Sequence, residues 1–588
     1  MRTTSEDGMA SAPTSCADRV QSTGSAAGGP EDVDSGRRRL LAVIAGAPIV
    51  TLLASKSADV FAASAAPPRI DIHCHTFNAS DLPVRGFVQR IVFGDWENQV
   101  VLDRDPQTSK AIGPALAATL IGWLSSAITA KEELALLQSG QASKSARATA
   151  AIGPDLDEQM ARTLFDVVVG QPGGEMQKAD LQLPDLPLET RELFLKALLR
   201  EAGLDERISL SQRDKSHLYR RIGRGLEKSR GPIGLFWSWS RTMKSARRSI
   251  VTEAVKLYGG SEGIGLFTPA IIDFSYWLDD DAKSDLESQI RVAEALQRQA
   301  LGTQLHFIAP YDPWRQIVDR EAGNSNTALD LAKWAVRDMG FVGVKLYPAL
   351  GFRPSGNAGA GLTFPERAKA VRNFPAKLDA ALEELFAWAE AERVPIMTHC
   401  MNSQGAAEGY AERSHPDHWR PVLRRHPQLR VNLAHLGGIL PISPANSVPW
   451  ESRIGALMAA APNSAFADIG YMSEVIEGAA TPERRSEIIR RLKEFRQSFD
   501  PRVQRMMYGS DWLLLGREPD SASYVRAIQG VTEDLGFDAA QKARFFGLNA
   551  ARFLGLRSDY RTYQRLEAYC RRNSIDREWL VAFNRLLS

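Results

Sequence analysis

The chain has 588 residues, too many for one ordinary domain. Apolar residues make up 44% and charged residues 24%, the balance of a soluble globular protein with a large core. The formal charge of +2 gives no global signature of a polyanionic partner, and the four cysteines, Cys16, Cys74, Cys400 and Cys570, form neither a disulfide framework nor a Cys-x-x-Cys knuckle.

Residues 1–65 read as an N-terminal region followed by an export signal. Residues 1–36 are rich in Ser, Gly, Ala and acids without apolar periodicity, which predicts disorder. Arg37-Arg38-Arg39-Leu40-Leu41 opens an apolar stretch that runs to Ala54, and Ala63-Ser64-Ala65 is a small-residue cleavage site. Cationic, then apolar, then small is the order of a secretory signal. The paired arginines before two leucines resemble a twin-arginine signal. That resemblance implies export machinery for folded proteins as a partner and a periplasmic or secreted location. The alternative is a membrane anchor that is never cut, for which an apolar run of about fifteen residues is short.

Arg69-Ile70-Asp71-Ile72-His73-Cys74-His75 predicts the first buried strand. Side chains alternate along a strand, so His73 and His75 share a face and Cys74 takes the other. Two imidazoles at a strand end make half of a zinc-type site. Cys74 and Cys400 are expected to be buried and inert.

Residues 76–245 carry helical patterns, with Leu156, Met160, Leu164, Val167 and Val168 at helix spacing, and Leu195, Leu198 and Leu199 likewise. They predict an all-helical insertion that packs over a barrel mouth as a lid. Within it and just beyond, residues 213–248 hold eleven Lys/Arg and two acids, with Phe236, Trp237 and Trp239 among them. A solvated helical face, an anion-binding lid over a carboxylated substrate, and contact with a membrane surface all fit this segment. Nucleic acid is not expected, because no recognition motif accompanies the charge.

From residue 246 strand and helix patterns alternate. Strands are expected at Gly265–Ile272, Gln304–Ala309, Phe341–Tyr347, Val394–His399, Leu429–His435, Ser464–Ile469 and Arg505–Gly509. With Arg69–His75 this makes eight, so the expected fold is α/β, a TIM-type (β/α)8 barrel with a large helical insertion after strand 1. The boundaries are 1–65 for the N-region and signal, 66–75 for strand 1, 76–245 for the insertion, 246–556 for the rest of the barrel and 557–588 for a helical tail. Leu566, Ala568 and Tyr569 of that tail are available to dock on the barrel. An open doubly wound sheet is the other possibility, but no Gly-x-Gly-x-x-Gly follows the first strand. Polar candidates Lys345, His399, His435 and Asp511 each fall at or near the end of an apolar run, where a barrel carries its chemistry.

Six segments stand in a fixed order: His73-x-His75, Gly343-Val344-Lys345-Leu346-Tyr347-Pro348, His399, Ala434-His435-Leu436-Gly437-Gly438, Tyr508-Gly509-Ser510-Asp511-Trp512 and Gly547-Leu548-Asn549-Ala550-Ala551-Arg552. Together they resemble the amidohydrolase superfamily, nearest to its amidohydrolase-related branch of metal-dependent hydrolases and some decarboxylases. The resemblance covers residues 69–75 and 246–556. It implies one divalent ion, of the zinc type, on His73, His75, His399 and Asp511, with Asp511 moving the proton of an attacking water. His435 would polarise the substrate carbonyl or orient the water. Lys345 is open: carboxylated, it would bridge two ions, with His399 and His435 on the second; as an ammonium, it would grip a substrate carboxylate or pair with Asp511. His217, His306, His415, His418 and His426 are expected to be structural. Tyr347, Arg353, Asn402, Trp512 and Asp468 are as fit for packing as for lining a pocket.

The leading expectation is a metal-dependent hydrolase of a small-molecule amide, lactam, lactone or ester, with an anionic substrate mildly favoured by residues 213–248. Nonoxidative decarboxylation of an aromatic or unsaturated acid needs the same ligands. A third possibility, from another class, is an exported binding protein on a catalytically dead barrel.

Overall fold

The computed structural model describes residues 68–92, 117, 120–139, 154–169, 188–204, 215–229, 231–260, 263–299, 301–441 and 448–588. The expected export signal lies outside them. No helix of the described residues is long and apolar enough to cross a membrane.

Strands β1 (Arg69–His75), β2 (Ile264–Ala270), β3 (Gln304–Leu305), β4 (Ile308–Pro310), β5 (Gly343–Leu346), β6 (Ile396–Met401), β7 (Val431–Gly437), β8 (Ala465–Asp468) and β9 (Met506–Met507) form one parallel sheet. They are buried almost throughout, which is why each reads as an apolar run rather than an alternation. The order β1-β2-β4-β5-β6-β7-β8-β9 sets each strand beside its successor, with β3 at the side of β2. The two edges then meet. Ile72 N donates to Tyr508 O at 3.3 Å, and Ser510 N and Asp511 N donate to His73 O at 3.1 and 2.7 Å. The fold is the eight-strand parallel barrel expected from the sequence.

The third expected strand is split into β3 and β4 at His306 and Phe307. There the Gln297 side chain supplies one rung, accepting from Phe307 N at 2.8 Å. His306 N still donates to Phe267 O at 3.1 Å and Phe307 O accepts from Val342 N at 2.9 Å, so the segment stays in the barrel wall.

A bulge in β1 prepares the site. Its register against β2 shifts between Asp71 and Cys74, an extra residue that re-aims the side chains beyond it. Before the bulge, Ile70 and Ile72 pack with Leu266, Ala270, Ile308, Met397 and Met507. Alternation counted from Ile72 would place Cys74 on that inner side; instead Cys74 packs in the outer apolar cluster and His73 turns inward. Thr268 Oγ1 holds the bulge by donating to the carbonyls of Asp71 and Ile72 at 3.1 and 2.9 Å.

Between β1 and β2 the described residues hold helices and no strand, with Ala130–Gln138, Pro154–Val169, Leu188–Glu201, Lys215–Lys228, Pro232–Lys244 and Arg247–Tyr258 among them. Met160, Leu164, Leu198, Leu199, Ile222 and Leu226 are buried, as helical spacing requires. In the basic segment, Trp237 and Trp239 are core side chains. Arg220 pairs with Glu158 and Arg241 with Glu227, both at 2.6 Å. Arg247 is buried. Its Nε donates to Asp81 Oδ2 at 2.8 Å and its Nη1 to Glu133 Oε2 at 2.9 Å, tying the loop after β1 to the helix Ala130–Gln138.

At the barrel floor, helices run down and expose their last carbonyls, and arginines near the strand starts cap them. Arg430, just before β7, donates to Arg393 O at 2.6 Å and Arg552 O at 3.2 Å. Arg505, just before β9, donates to Phe499 O at 2.7 Å and to Met458 O. These guanidiniums stand against the negative ends of helix dipoles. With Arg552 and Arg557 they line a floor cavity of about 350 Å³. The C-terminal helices close the floor through Leu566, Trp579, Leu580 and Phe583. Tyr569 is buried as well, but Ala568 is exposed. The helix Arg561–Arg572 buries the stripe 562, 563, 566, 569 and 570, and position 568 lies off it.

Candidate active site

His73 and His75 come from β1 and Asp511 from the turn after β9. Their ligand atoms all lie within 4.8 Å of one another, and all three are buried. His75 Nε2 is 3.1 Å and His73 Nε2 3.5 Å from Asp511 Oδ1. Those contacts lack hydrogen-bond alignment, and Asp511 Oδ1 has no hydrogen-bond partner. Ligands about 2.0–2.2 Å from a tetrahedral ion stand about 3.4 Å apart. The observed spacing, with an orphaned buried carboxylate oxygen, therefore fits a divalent ion.

The far sides of the imidazoles fix their tautomers. His73 Nδ1 is 3.1 Å from Asp468 Oδ1, His75 Nδ1 is 3.0 Å from Ala270 O, and His435 Nδ1 is 2.9 Å from Gly470 O. Each acceptor demands the proton on Nδ1 and leaves Nε2 as a lone pair. His435 Nε2 must then accept from His399 Nδ1, 3.1 Å away. That in turn leaves His399 Nε2 bare, and it is buried without a partner. Four lone pairs thus belong to one network, three on Nε2 atoms of residues expected to be ligands.

Local backbone is bent to make this arrangement. His435 and Asp511 adopt φ of +68° and +57°, positions that cost a side-chain-bearing residue roughly 1–3 kcal/mol each and cluster at functional sites. Strand alternation puts Asn432 and Ala434 on one face of β7; the left-handed turn at His435 brings its ring to the site. Gly470 and Gly509 leave room for His73. A Cβ on Gly470 would lie 2.8 Å from His73 Nδ1, and one on Gly509 would lie 2.8 Å from His73 Cβ.

Asp468 accepts on Oδ1 from His73 Nδ1, from His435 N at 3.1 Å and from Gly470 N at 2.8 Å, and on Oδ2 from Asn432 Nδ2 at 2.6 Å. Burial opposes its charge, but His73, His435 and the Gly470 amide outweigh burial and hold the carboxyl below the usual range. Asp511 is likewise held low against burial, by His73, His75 and His435. Burial, then Lys345, pushes His73 down to about 4. Burial also lowers His399 and His435. His73, His399 and His435 are therefore neutral and Asp468 and Asp511 charged at neutral pH, the states that bind a metal. Asp71, buried beneath, accepts from Ser510 N at 3.0 Å, Ser510 Oγ at 2.5 Å and His73 N at 3.2 Å. It locks the β1 edge to the strand end that carries Asp511.

Lys345 Nζ lies 3.0 Å from His73 Nε2 and 3.2 Å from Met397 Sδ. Burial lowers its pKa to about 8. Among the described residues it makes no ion pair with Asp511; it meets the metal-facing nitrogen of His73 instead. His399 stacks on Tyr347, ring centroids 4.5 Å apart, and stands beyond the tight group of His73, His75 and Asp511.

All six expected site residues line one cavity of about 60 Å³. Tyr347 lines it too, whereas Arg353, Asn402 and Trp512 do not; Trp512 packs edge-on against Tyr258. Sequence reasoning missed Gln404, Tyr471 and Arg517 in the wall. All three stand in loops that follow barrel strands, and Arg517 is six residues past Asp511, so loop position was the available signal. Among the described residues between β1 and β2, Ile91 reaches the cavity and none of 213–248 does.

Residues 292–556 match the Amidohydro_2 family model, described as amidohydrolase. The match spans 265 residues, a little under half of the chain. No curated protein matches. Among solved structures, the chain is similar to an amidohydrolase from Burkholderia multivorans with bound HEPES at 14% identity and TM-score 0.34, covering 52% of this chain and 88% of that one. A putative 2-pyrone-4,6-dicarboxylic acid hydrolase from Pseudomonas putida is 13% identical at TM-score 0.32, covering 52% and 86%. An uncharacterised TIM-barrel protein from Bordetella bronchiseptica is 16% identical at TM-score 0.32, covering 56% and 88%. TM-scores this low leave the fold to rest on the chain's own strand order. The family match, together with the buried His-His-Asp group, marks the chain as an enzyme.

Proposed function

We propose that this chain is a metal-dependent hydrolase acting on a small amide, lactam, lactone or ester. The observation that carries the reading is the group His73, His75 and Asp511, drawn together across the barrel seam with ligand atoms within 4.8 Å of one another and an orphaned carboxylate oxygen among them. An ion of the zinc type bound there supplies Lewis-acid polarisation and an activated nucleophile at neutral pH. His73, His75 and Asp511 would hold the ion, and His73 Nε2 could serve as a ligand only with Lys345 Nζ, now 3.0 Å away, withdrawn from it. Asp511, held ionised, accepts the proton of the attacking water and returns it to the leaving group. His435 is fixed by Gly470 O as an Nδ1–H tautomer, so its Nε2 orients the proton on His399 Nδ1. The bare Nε2 of His399 then serves as a further ligand or as a lone pair towards substrate.

Purified protein should bind about one equivalent of zinc and hydrolyse members of an ester, lactone and amide panel, with activity lost to a chelator and restored by metal. Absence of zinc uptake would sink the reading in favour of a binding barrel. Stoichiometric release of carbon dioxide from aromatic acids, without hydrolysis, would replace it with decarboxylation.

A further inference from the structure

The cavity wall carries a cation that the hydrolytic step does not use. Arg517 lines the cavity with His399, Lys345 and Asp511. Its one hydrogen bond is long, 3.5 Å from Nη2 to the Tyr471 hydroxyl, and among the described residues no carboxylate stands within ion-pair distance of it. The natural partner, Glu518, is next in the chain but is otherwise engaged: it accepts the Tyr471 hydroxyl proton at 2.5 Å. That bond leaves Tyr471 with a lone pair towards Arg517 and no proton to offer a ligand. Arginine stays charged at every working pH. Tyr471, Glu518 and Asp511 hold the guanidinium charged against its burial, but no carboxylate caps its fork, so most of its N–H donors are open to a ligand in the cavity.

A second wall residue has the same bias. Gln404 Oε1 accepts the Tyr347 hydroxyl at 3.0 Å, so its amide NH2 is the group left to offer. A guanidinium fork and an amide donor complement a carboxylate, and neither complements a cation. We propose that the substrate carries a carboxylate besides the bond that is cut, and that Arg517 holds it and sets specificity. The inference rests on the hydrolase reading only for where the scissile bond lies; Arg517 is not among the residues that fit the ion.

Succinate, succinamate and succinamide form a probe series with one skeleton and two, one or no carboxylates. Calorimetric titration should rank them in that order. Arg517→Gln should weaken succinate roughly tenfold to a hundredfold while leaving succinamide and zinc stoichiometry unchanged. Equal succinate affinity in Arg517→Gln, or no discrimination by the unmutated protein, overturns the proposal. Running the series on metal-free protein separates the two readings. If zinc is not taken up but Arg517-dependent succinate selectivity persists, the hydrolase reading falls and this one stands. If zinc binds and selectivity is absent, the reverse holds. Should Arg517→Gln fail to fold, modification of Arg517 by phenylglyoxal in the unmutated protein, followed by peptide mass spectrometry, still decides. Succinate should slow it and succinamide should not; equal slowing overturns the inference.

Discussion

Asp468→Asn isolates the charge behind His73 with little change of shape. The carboxylate accepts four N–H groups, three on Oδ1 and one on Oδ2. An asparagine oxygen can take the Oδ1 place. Its NH2 then faces Asn432 Nδ2, a donor against a donor, but Asn432 Oδ1 has no partner, so a flip of the Asn432 amide restores the fourth bond. Hydrogen bonds are conserved and one buried charge is lost. A charged acceptor makes hydrogen bonds about twice as strong as a neutral one, and removing the partner of a ligating imidazole weakens metal affinity roughly 10- to 100-fold, or about 1.4–2.7 kcal/mol. Competition titration against a chromophoric zinc chelator measures this directly, with the melting curve of the metal-free protein as the control for folding. The expected result is a 10- to 100-fold weaker zinc complex and a midpoint within a few degrees of the parent. Zinc affinity within twofold of the parent would refute the claim that the charge of Asp468 sets the basicity of His73.

Asp511→Asn removes the proton acceptor and should lower kcat at least about 10²-fold while the metal-free protein still folds; retained full activity contradicts its role. Arg247→Met leaves Asp81 and Glu133 buried without their cation and should cost about 3–5 kcal/mol in urea unfolding of the metal-free protein; a loss under about 1 kcal/mol would show the cluster to be water-compensated. His306 is pushed down to about 4 by burial, so between pH 6.5 and 4 the unfolded chain takes up a proton that the fold refuses. Its contribution is full above pH 6.5 and is lost as pH falls towards 4, about 3 kcal/mol in all. His306→Gln should flatten that limb of a stability–pH profile, and an unchanged slope removes His306 as a cause.

The barrel was legible because parallel strands buried on both faces announce themselves as apolar runs, and because six polar residues end those runs in order. What misled was local. Gln304–Ala309 reads as one strand, but the side chain of Gln297 replaces a rung and divides it. Ala568 is apolar and near Leu566 and Tyr569, yet helical geometry sets it outside their stripe. His73 and His75 were placed on a shared face correctly, although the bulge that turns them inward is a matter of register with β2 and leaves no mark in the letters of β1. Asp468 read as a packing residue as readily as a functional one, because its importance lies in what it touches. Arg517 was invisible for the opposite reason: a charged residue in a loop is ordinary until the loop is seen to fold over a cavity with the guanidinium fork uncapped by an ion pair.

The site and the closure of the barrel are one structural event. β1 and the end of β9 meet without a regular ladder, through amides of Ile72, Ser510 and Asp511 on carbonyls of Tyr508 and His73. β9 is two residues long, so the join rests on these few bonds. The residues that fit an ion stand on both sides of it, separated by more than 430 positions in sequence and by 3.1–3.5 Å in space. Asp71 fastens the same join from beneath through Ser510. An ion shared by His73, His75 and Asp511 adds a tie across the join, so its binding free energy and the energy of closing the barrel are linked quantities. The left-handed backbone at Asp511 is held by its N–H bond to His73 O at 2.7 Å. The strained geometry that aims the carboxylate is thus maintained by the contact that shuts the barrel, and a site assembled from the two ends of the barrel's strand order forms only when the last strand has found the first.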